Sequence, residues 1–361
     1  MSLGLPIAPV ARDAWDTIRE EKRPIVVYGM GNGADKLLDR LESMGVTVAD
    51  IFASGGFVRG HSFRGYLVKS FSEIKATYPD FLILLSFATH KRDVLDMLYA
   101  IDDEYDMLLP DMPVADVREY FDKEFYNTHY EEIKRAYNAL SDNASRGIFE
   151  GVIWYKLTGR ISYLRSAFNS LDERYAPMPK GEIKTALDLG AYNGDTMREM
   201  LEYFPNLGDI TLVEPDQKTY KRLLKYLGTV GGVSASPINA AVWSSTEGVT
   251  FSASGNRNST LTATASYQHK VSEVPLITVD SLDLSPDYIK YDVEGAELEA
   301  LRGSHTTIED SRPTLLVSLY HRSRDIFELI NYLLDNYPDY KFYLRRLECL
   351  PAWEIDLILT K

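Results

Sequence analysis

The sequence predicts an α/β protein built on parallel sheets, and three stretches carry that prediction. Ile289 to Ser304 (Ile-Lys-Tyr-Asp-Val-Glu-Gly-Ala-Glu-Leu-Glu-Ala-Leu-Arg-Gly-Ser) ends an apolar strand in two acids and then opens a helix. Ala186 to Thr196 runs from an apolar strand through Gly190 and Gly194 into the helical run Met197 to Phe204. Near the amino terminus, Pro24 to Tyr28 leads into Gly29-Met30-Gly31-Asn32-Gly33-Ala34, and helical apolar spacing follows from Asp35 to Met44. Each stretch reads as strand, tight turn and helix in succession. In open sheets of this kind ligands sit outside the carboxyl ends of the strands, so these turns are expected to border a crevice.

Between the first and second glycine turns, Val46 to Phe52 reads as a strand, Tyr66 to Lys69 as a short one, Phe71 to Tyr78 as a helix and Phe81 to Ser86 as a buried strand. The unit ends near Pro110 and Pro113, which makes residues 1–112 a small α/β domain. Val114 to Tyr175 shows no clear strand and reads as helices with acidic faces. Pro177, Pro179 and Gly181 mark the next boundary. Residues 113–178 are therefore expected to be a helical connector and residues 179–361 a larger α/β domain. In that domain Ile210 to Val213 is the second strand, Asn239 and Ala240 follow the third, and Pro313 to Tyr320 is the fifth. Ser252 to Tyr267, with Gly255, Asn256 and Asn258, reads as a loop or edge hairpin placed to act as a lid.

Composition narrows the partners. The 53 acids and 39 bases leave a formal charge of −14, which disfavours broad attraction to nucleic acid or an anionic membrane. Cys349 is the only cysteine, so no internal disulfide forms, as suits a reducing, cytoplasmic setting. The longest apolar stretches, Phe81 to Phe87 and Leu315 to Leu319, fall far below the roughly 18 residues of a membrane span. Met1 to Pro9 lacks the charged start and long apolar centre of a signal peptide.

The candidate site residues follow from their positions. Gly190 and Gly194 let backbone approach a ligand with no Cβ in the way, and the amides at the following helix start favour a carboxylate or phosphate. Asp188 is placed to accept from a ligand ammonium or to hold the turn. Glu214 ends the second strand, where an acid can accept both hydroxyls of a ribose. Asn239 and Ala240 follow the third strand, and Trp243 is expected to pack. Asp292 could cap its turn and Glu294 the helix through Leu301, but a functional role for at least one carries more weight. The first glycine turn is less persuasive. Gly29, Gly31 and Ala34 satisfy a dinucleotide pattern, yet Asp50 falls inside its strand, not at the carboxyl end where Ala53 and Ser54 stand. A structural or assembly role there outweighs a ligand.

With these residues in view, the second half of the chain resembles the FkbM family of S-adenosylmethionine-dependent methyltransferases. Leu187 to Thr196, Val213 to Asp216, Thr278 to Leu282 and Ile289 to Ser304 match its hallmark segments in order. The resemblance implies a Rossmann-like class I methyltransferase domain with a seven-stranded, mostly parallel sheet. It implies S-adenosylmethionine as cofactor, lying across Asp188, Gly190, Gly194, Glu214, Asn239, Ala240 and Asp292, with the Asn239 side-chain amide and the Ala240 backbone reading its adenine. It also implies O-methylation of a sugar hydroxyl in a glycan or nucleotide-sugar precursor, as in polysaccharide biosynthesis, with a small-molecule or glycan acceptor. Ser318 departs from the family, whose members often carry an acid at that position. The first unit resembles the Rossmann-like N-terminal domains of bacterial sugar O-acyltransferases, which implies sugar-nucleotide or related binding.

A hydroxyl acceptor must lose its proton as the new bond forms, and a positioned base is worth typically 10²- to 10⁴-fold. His321, at the exit of the fifth strand, is the expected base, and Asp292 is the alternative base or its orienting partner. Glu294, Arg322, Arg345 and Arg346 are expected on the substrate side, where the arginines would grip a phosphate or carboxylate through fork-like hydrogen bonds. No residue is assigned to a metal, and a homo-oligomer is left open. The competing function is a nucleotide- or nucleotide-sugar-binding protein, either an oxidoreductase or a noncatalytic assembly module, working through Gly29 to Ala34.

Overall fold

Aliphatic runs flanked by amphipathic helices become strands buried on both faces, the arrangement that a parallel sheet between two helix layers requires. The computed structural model describes residues 3–58, 60–115, 119–246, 250–252, 260–262 and 274–361. Its first sheet contains β1 (Ile25–Tyr28), β2 (Asp50–Ala53), β3 (Lys69–Ser70), β4 (Leu82–Leu85) and β5 (Met107–Leu108). All pairs are parallel, in the order β3-β2-β1-β4-β5. Helices α1 (Ala14–Glu20), α2 (Asn32–Ser43), α3 (Phe71–Thr77) and α4 (Arg92–Glu104) accompany it. Reciprocal capping boxes, Asp13 with Asp16 and Ser70 with Glu73, start α1 and α3.

The connecting region is helical as expected, with α5 (Lys123–Thr128), α6 (Tyr130–Ala139), α7 (Asn143–Thr158) and α8 (Leu171–Tyr175). The Asp142 side chain caps α7 by accepting from the Ser145 amide, and Gly159 ends it with a φ of +67°.

The second sheet contains β6 (Thr185–Leu189), β7 (Asp209–Val213), β8 (Ser234–Ile238), β9 (Tyr288–Tyr291), β10 (Thr314–Ser318), β11 (Lys341–Arg346) and β12 (Ile355–Thr360). The order is β8-β7-β6-β9-β10-β12-β11; only β12 runs antiparallel to its neighbours. This is the seven-stranded, mostly parallel Rossmann-like sheet that the sequence led us to expect. Helices α9 (Asp195–Tyr203), α10 (Gln217–Leu227), α11 (Glu297–Arg302), α12 (His305–Ser311) and α13 (Asp325–Asn336) complete this half. The connector is no free linker: α6 packs on α13 and α7 on β11. One continuous apolar core runs from Val26 through Tyr126 and Phe149 to Leu359. Among the described residues, no helix is long and apolar enough to cross a membrane.

Some local expectations shift. Strand β2 starts at Asp50, not Val46, because the Val46 amide donates to Leu41 O at 2.9 Å and closes the end of α2. Tyr66 to Lys69 divides: Tyr66–Leu67 pairs with Ser62–Phe63, while Lys69–Ser70 joins the sheet. The N-cap of α11 is Ala296, not Glu294, which instead has a φ of +54° in the preceding turn. Thr250–Ser252 and Thr260–Thr262 pair antiparallel in a two-stranded ladder of their own, which overlaps only part of the stretch Ser252 to Tyr267 expected to be a loop or edge hairpin. Gly255, Asn256 and Asn258, and with them the expected lid, lie outside the described residues.

Two glycines offer a direct test of this packing. A Cβ on Gly33 would sit 2.2 Å from Ser86 O, whereas one on Gly147, exposed within α7, would meet nothing within 4 Å. Gly33→Ala is expected to cost about 1–3 kcal/mol through overpacking. Gly147→Ala should stabilise by about 0.5–1 kcal/mol by restricting the unfolded chain. Urea unfolding of both variants checks the opposite signs.

Candidate active site

The order of adjacent parallel strands reverses between β1 and β4 in the first sheet and between β6 and β9 in the second. The carboxyl ends at both switch points open onto one cavity of about 940 Å³, lined by Gly31, Asn32, Ser86 and His90 from the first half and by Gly190, Tyr192, Glu214, Ala240, Asp292, Glu294 and His321 from the second. Of the residues expected to meet a cofactor, Gly190, Glu214, Ala240 and Asp292 therefore border the cavity. Gly194 is the N-cap of α9, with a φ of +84°, and its missing Cβ makes room for the Tyr226 ring, which would otherwise lie 2.4 Å away.

The turn after β6 is held by the strands beside it. Val213 O accepts from the amides of Gly190 and Ala191, at 2.9 and 3.0 Å. Gly190 has a φ of +86°, and a Cβ there would fall 1.8 Å from Asp292 O, so the two strand exits cross in backbone contact. Glu214 is 6% exposed. Its Oε2 accepts from the Tyr192 amide at 2.9 Å and its Oε1 from the Asp216 amide at 2.8 Å. Each oxygen keeps acceptor capacity for a ligand. Burial pushes this carboxyl up to about 7, against those two hydrogen bonds. Asn239 commits its amide nitrogen to Glu214 O (2.8 Å) and Pro215 O (3.1 Å). It thus shapes the turn around Glu214, which is a different use from the adenine contact expected of its side chain. Trp243 packs against Ala241 and Ala296, as expected.

Asp188 lies beneath the cavity. It is fully buried, paired in register with Lys290, and its two carboxylate oxygens make no hydrogen bond. The Lys290 ammonium is 3.7 Å from Asp188 Oδ1 and 3.0 Å from Asp292 Oδ2. Burial pushes Asp188 up to about 6, with Lys290 opposing. Burial disfavours the Lys290 charge, but Asp292 and Asp188 outweigh it and hold the ammonium above its ordinary range. Asp292 is held below the ordinary carboxylate value because Lys290 and His321 overcome its burial. Asp188 thus positions Lys290, and Lys290 positions Asp292. Sequence reasoning passed over Lys290, although a lysine inside the apolar run Tyr288–Tyr291 is itself a signal.

His321 is 1% exposed and sits among three carboxylates. Nδ1 is 3.0 Å from Glu297 Oε1, while Nε2 is 3.5 Å from Asp292 Oδ1 and 3.6 Å from Glu294 Oε2. Burial opposes its charge, yet Glu297, Asp292 and Glu294 push it up to about 10. A ring in that state donates protons and cannot accept one. The expected position is therefore found, but with a charge state that does not suit a base.

The arginine grip is corrected by the geometry. Arg345 donates to Asp142 Oδ2 (2.7 Å) and Ser145 Oγ (3.0 Å), fastening β11 to the start of α7. Arg346 is buried and donates to Ala167 O (2.9 Å) and to Cys349 O. Arg322 packs beside Gly295. None of the three borders the cavity, although Glu294 does. Sequence reasoning missed the arginine that does border it, Arg174, which is buried and lies 3.0 Å from Asp356 Oδ2 and 3.1 Å from Glu199 Oε2. Acids outnumber the basic residues Lys36, Arg174 and Lys290 along the wall. Opposite them, Asp50 begins β2 at the end away from the cavity and binds Lys69 Nζ (2.6 Å) and the Tyr78 hydroxyl (2.5 Å). No acid therefore ends β2 to hold a dinucleotide ribose.

The raised Glu214 value predicts a pH signature in the ligand-free chain. With its ordinary value of 4.5 pushed up to about 7, the folded chain keeps a proton that the unfolded chain loses first. The stability associated with that proton is full below 4.5 and disappears as pH rises through 7. The stability difference between wild type and Glu214→Gln should therefore fall across this interval in urea unfolding. A difference independent of pH would show that burial does not act on this carboxyl.

Comparison with known proteins agrees with this architecture. Residues 188–342 match the family model described as Methyltransferase FkbM domain. The crystal structure of Methyltransferase FkbM from Methylobacillus flagellatus KT has a TM-score of 0.71 at 19% identity, covering 94% of this chain and 90% of that one. Aeropyrum pernix fibrillarin in complex with natively bound S-adenosyl-L-methionine reaches a TM-score of 0.31 at 15% identity, over 51% of this chain and 69% of that one. Precorrin-6y C5,15-methyltransferase from Geobacter metallireducens GS-15 reaches 0.33 at 12% identity, over 52% and 85%. None of the curated proteins compared matches the chain. The segment that builds the second switch point thus matches an FkbM methyltransferase domain, within a chain that shares the fold of the Methylobacillus protein over nearly its whole length.

Proposed function

We propose that the chain transfers a methyl group from S-adenosylmethionine to a hydroxyl of a sugar or other uncharged polyol. The observation that carries this reading is the junction of Gly190 and Glu214 at the second switch point. Backbone there is bare of Cβ, and a buried carboxylate with spare acceptor capacity ends the adjacent strand. These residues suit the cofactor: Glu214 would accept from its ribose hydroxyls, Gly190 would allow close approach, and the acid-rich wall would favour its sulfonium charge. When bound, the cofactor supplies an electrophilic methyl group.

The chain's own contribution is placement. Holding the acceptor hydroxyl in line with the methyl group contributes several kcal/mol by proximity. Asp292 is the group we assign to receive the hydroxyl hydrogen. Lys290 fixes its Oδ2, and the Tyr320 hydroxyl approaches its Oδ1 at 3.3 Å. His321 acts with Asp292 by orienting it. The acidic wall, and the structural use of Arg345 and Arg346, favour a neutral glycan hydroxyl over a phosphate-bearing nucleotide sugar. A role in polysaccharide assembly in the cytoplasm is consistent with that acceptor class.

Calorimetry tests the cofactor half. Glu214→Ala should weaken S-adenosylmethionine binding by roughly tenfold or more, the loss expected for hydrogen bonds to a charged acceptor. Unchanged affinity in a folded variant would remove Glu214 from the site, and no binding by the wild type would sink the proposal.

A screen with labelled cofactor tests the acceptor half. Transfer to neutral saccharides is expected to exceed transfer to nucleotide sugars. With the best acceptor, Asp292→Asn should lower turnover by roughly 10²- to 10⁴-fold. Near-normal turnover in that variant would mean that placement alone carries the reaction.

A further inference from the structure

Around His321 the wall of the cavity carries a set of ligating atoms that methyl transfer alone does not require. Asp292, Glu297 and His321 each offer one donor atom within 4.8 Å of the other two. They arrive from three separate places: the exit of β9, the first residue of α11 and the loop after β10. Glu297 and His321 are each only 1% exposed, and part of their bonding capacity is unused. Glu297 Oε1 accepts from the Val293 and Gly295 amides, at 2.9 and 3.3 Å, while its Oε2 has no partner. His321 Nδ1, although 3.0 Å from Glu297 Oε1, makes no hydrogen bond. Asp292 has its Oδ2 on Lys290, which leaves Oδ1 on the side of the imidazole.

A buried oxygen without a partner, such as Glu297 Oε2, costs free energy, and three carboxylates converge on one imidazole. We propose that Asp292, Glu297 and His321 form a binding site for a divalent metal cation, with Glu294 as a further oxygen donor on the cavity side. The mixed set suits a borderline ion. Carboxylates favour manganese and magnesium, and imidazole favours zinc and iron. Because Asp292, Glu294 and His321 border the cavity, an acceptor hydroxyl can approach the ion from there. An ion so placed would lower the hydroxyl's pKa and would displace the proton from His321, since a ligating imidazole is neutral.

The test uses the full-length chain, stripped with a chelator and titrated with Mn²⁺ alone while free Mn²⁺ is followed by electron paramagnetic resonance. One saturable site is expected. Asp292→Asn and His321→Gln should each weaken it by roughly tenfold or more without altering the circular dichroism spectrum. Glu297→Gln is less suitable, because Glu297 also braces the turn before α11. No saturable site for Mn²⁺, or for Zn²⁺ as a second probe, overturns the proposal, as does binding that survives both substitutions. Titrating S-adenosylmethionine into the same metal-free samples separates the two readings. Cation binding by a chain that does not bind the cofactor would sink the methyl-donor assignment and leave the cation site standing.

Discussion

The backbone contact between Gly190 and Asp292 is the constraint on which the rest of the site depends. With no room for a Cβ, the exits of β6 and β9 press together at the point where the strand order reverses. The Asp292 amide donates to Leu189 O at 3.0 Å, which fixes how far each strand extends before it turns. That register puts Asp188 opposite Lys290 and carries Asp292 to the rim. It also aims the Tyr192 amide at Glu214. The carboxylates of Glu214 and Asp292 are thereby set on two sides of one turn.

Electrostatics then determine what the cavity can hold. Removing a charge from water costs several kcal/mol even after relaxation, so Lys290 and Arg174 persist there only because carboxylates flank them. Lys290 is matched by Asp188 and Asp292, and Arg174 by Asp356 and Glu199. Both of these basic groups are held in this matching, while Lys36 donates to the carbonyls of Pro113 and Val114. The excess of carboxylates on the wall disfavours an anion there and favours a cation or a neutral group.

The first glycine turn shows how part of one motif can have a packing explanation. A Cβ on Gly29 would lie 2.7 Å from Ser86 Oγ, and one on Gly33 would lie 2.2 Å from Ser86 O. Both glycines let α2 and its turn press on the end of β4. Only Gly31, with a φ of +141° and nothing within 4 Å, faces open space. Packing thus accounts for Gly29 of the dinucleotide pattern and not for Gly31, while Asp50, at the end of β2 away from the cavity, serves Lys69 and Tyr78.

What the sequence by itself determined was everything with a local cause. The parallel α/β class, the helical connector, the two glycine turns and the acid ending β7 all follow from periodicity, turn chemistry and strand-end position, which act within about a dozen residues. Elements with weak local signals escaped it: β5 is two residues long, and α4 has no side-chain cap. The tertiary structure alone decided which charges meet. Arg345 finds Asp142, Arg346 finds Ala167, and Lys290 finds Asp188, each across more than a hundred residues of chain. It likewise decided that His321 lies among three carboxylates. Those pairings depend on strand order and register, and no spacing along the chain encodes which of several exposed-looking arginines a distant aspartate will bury.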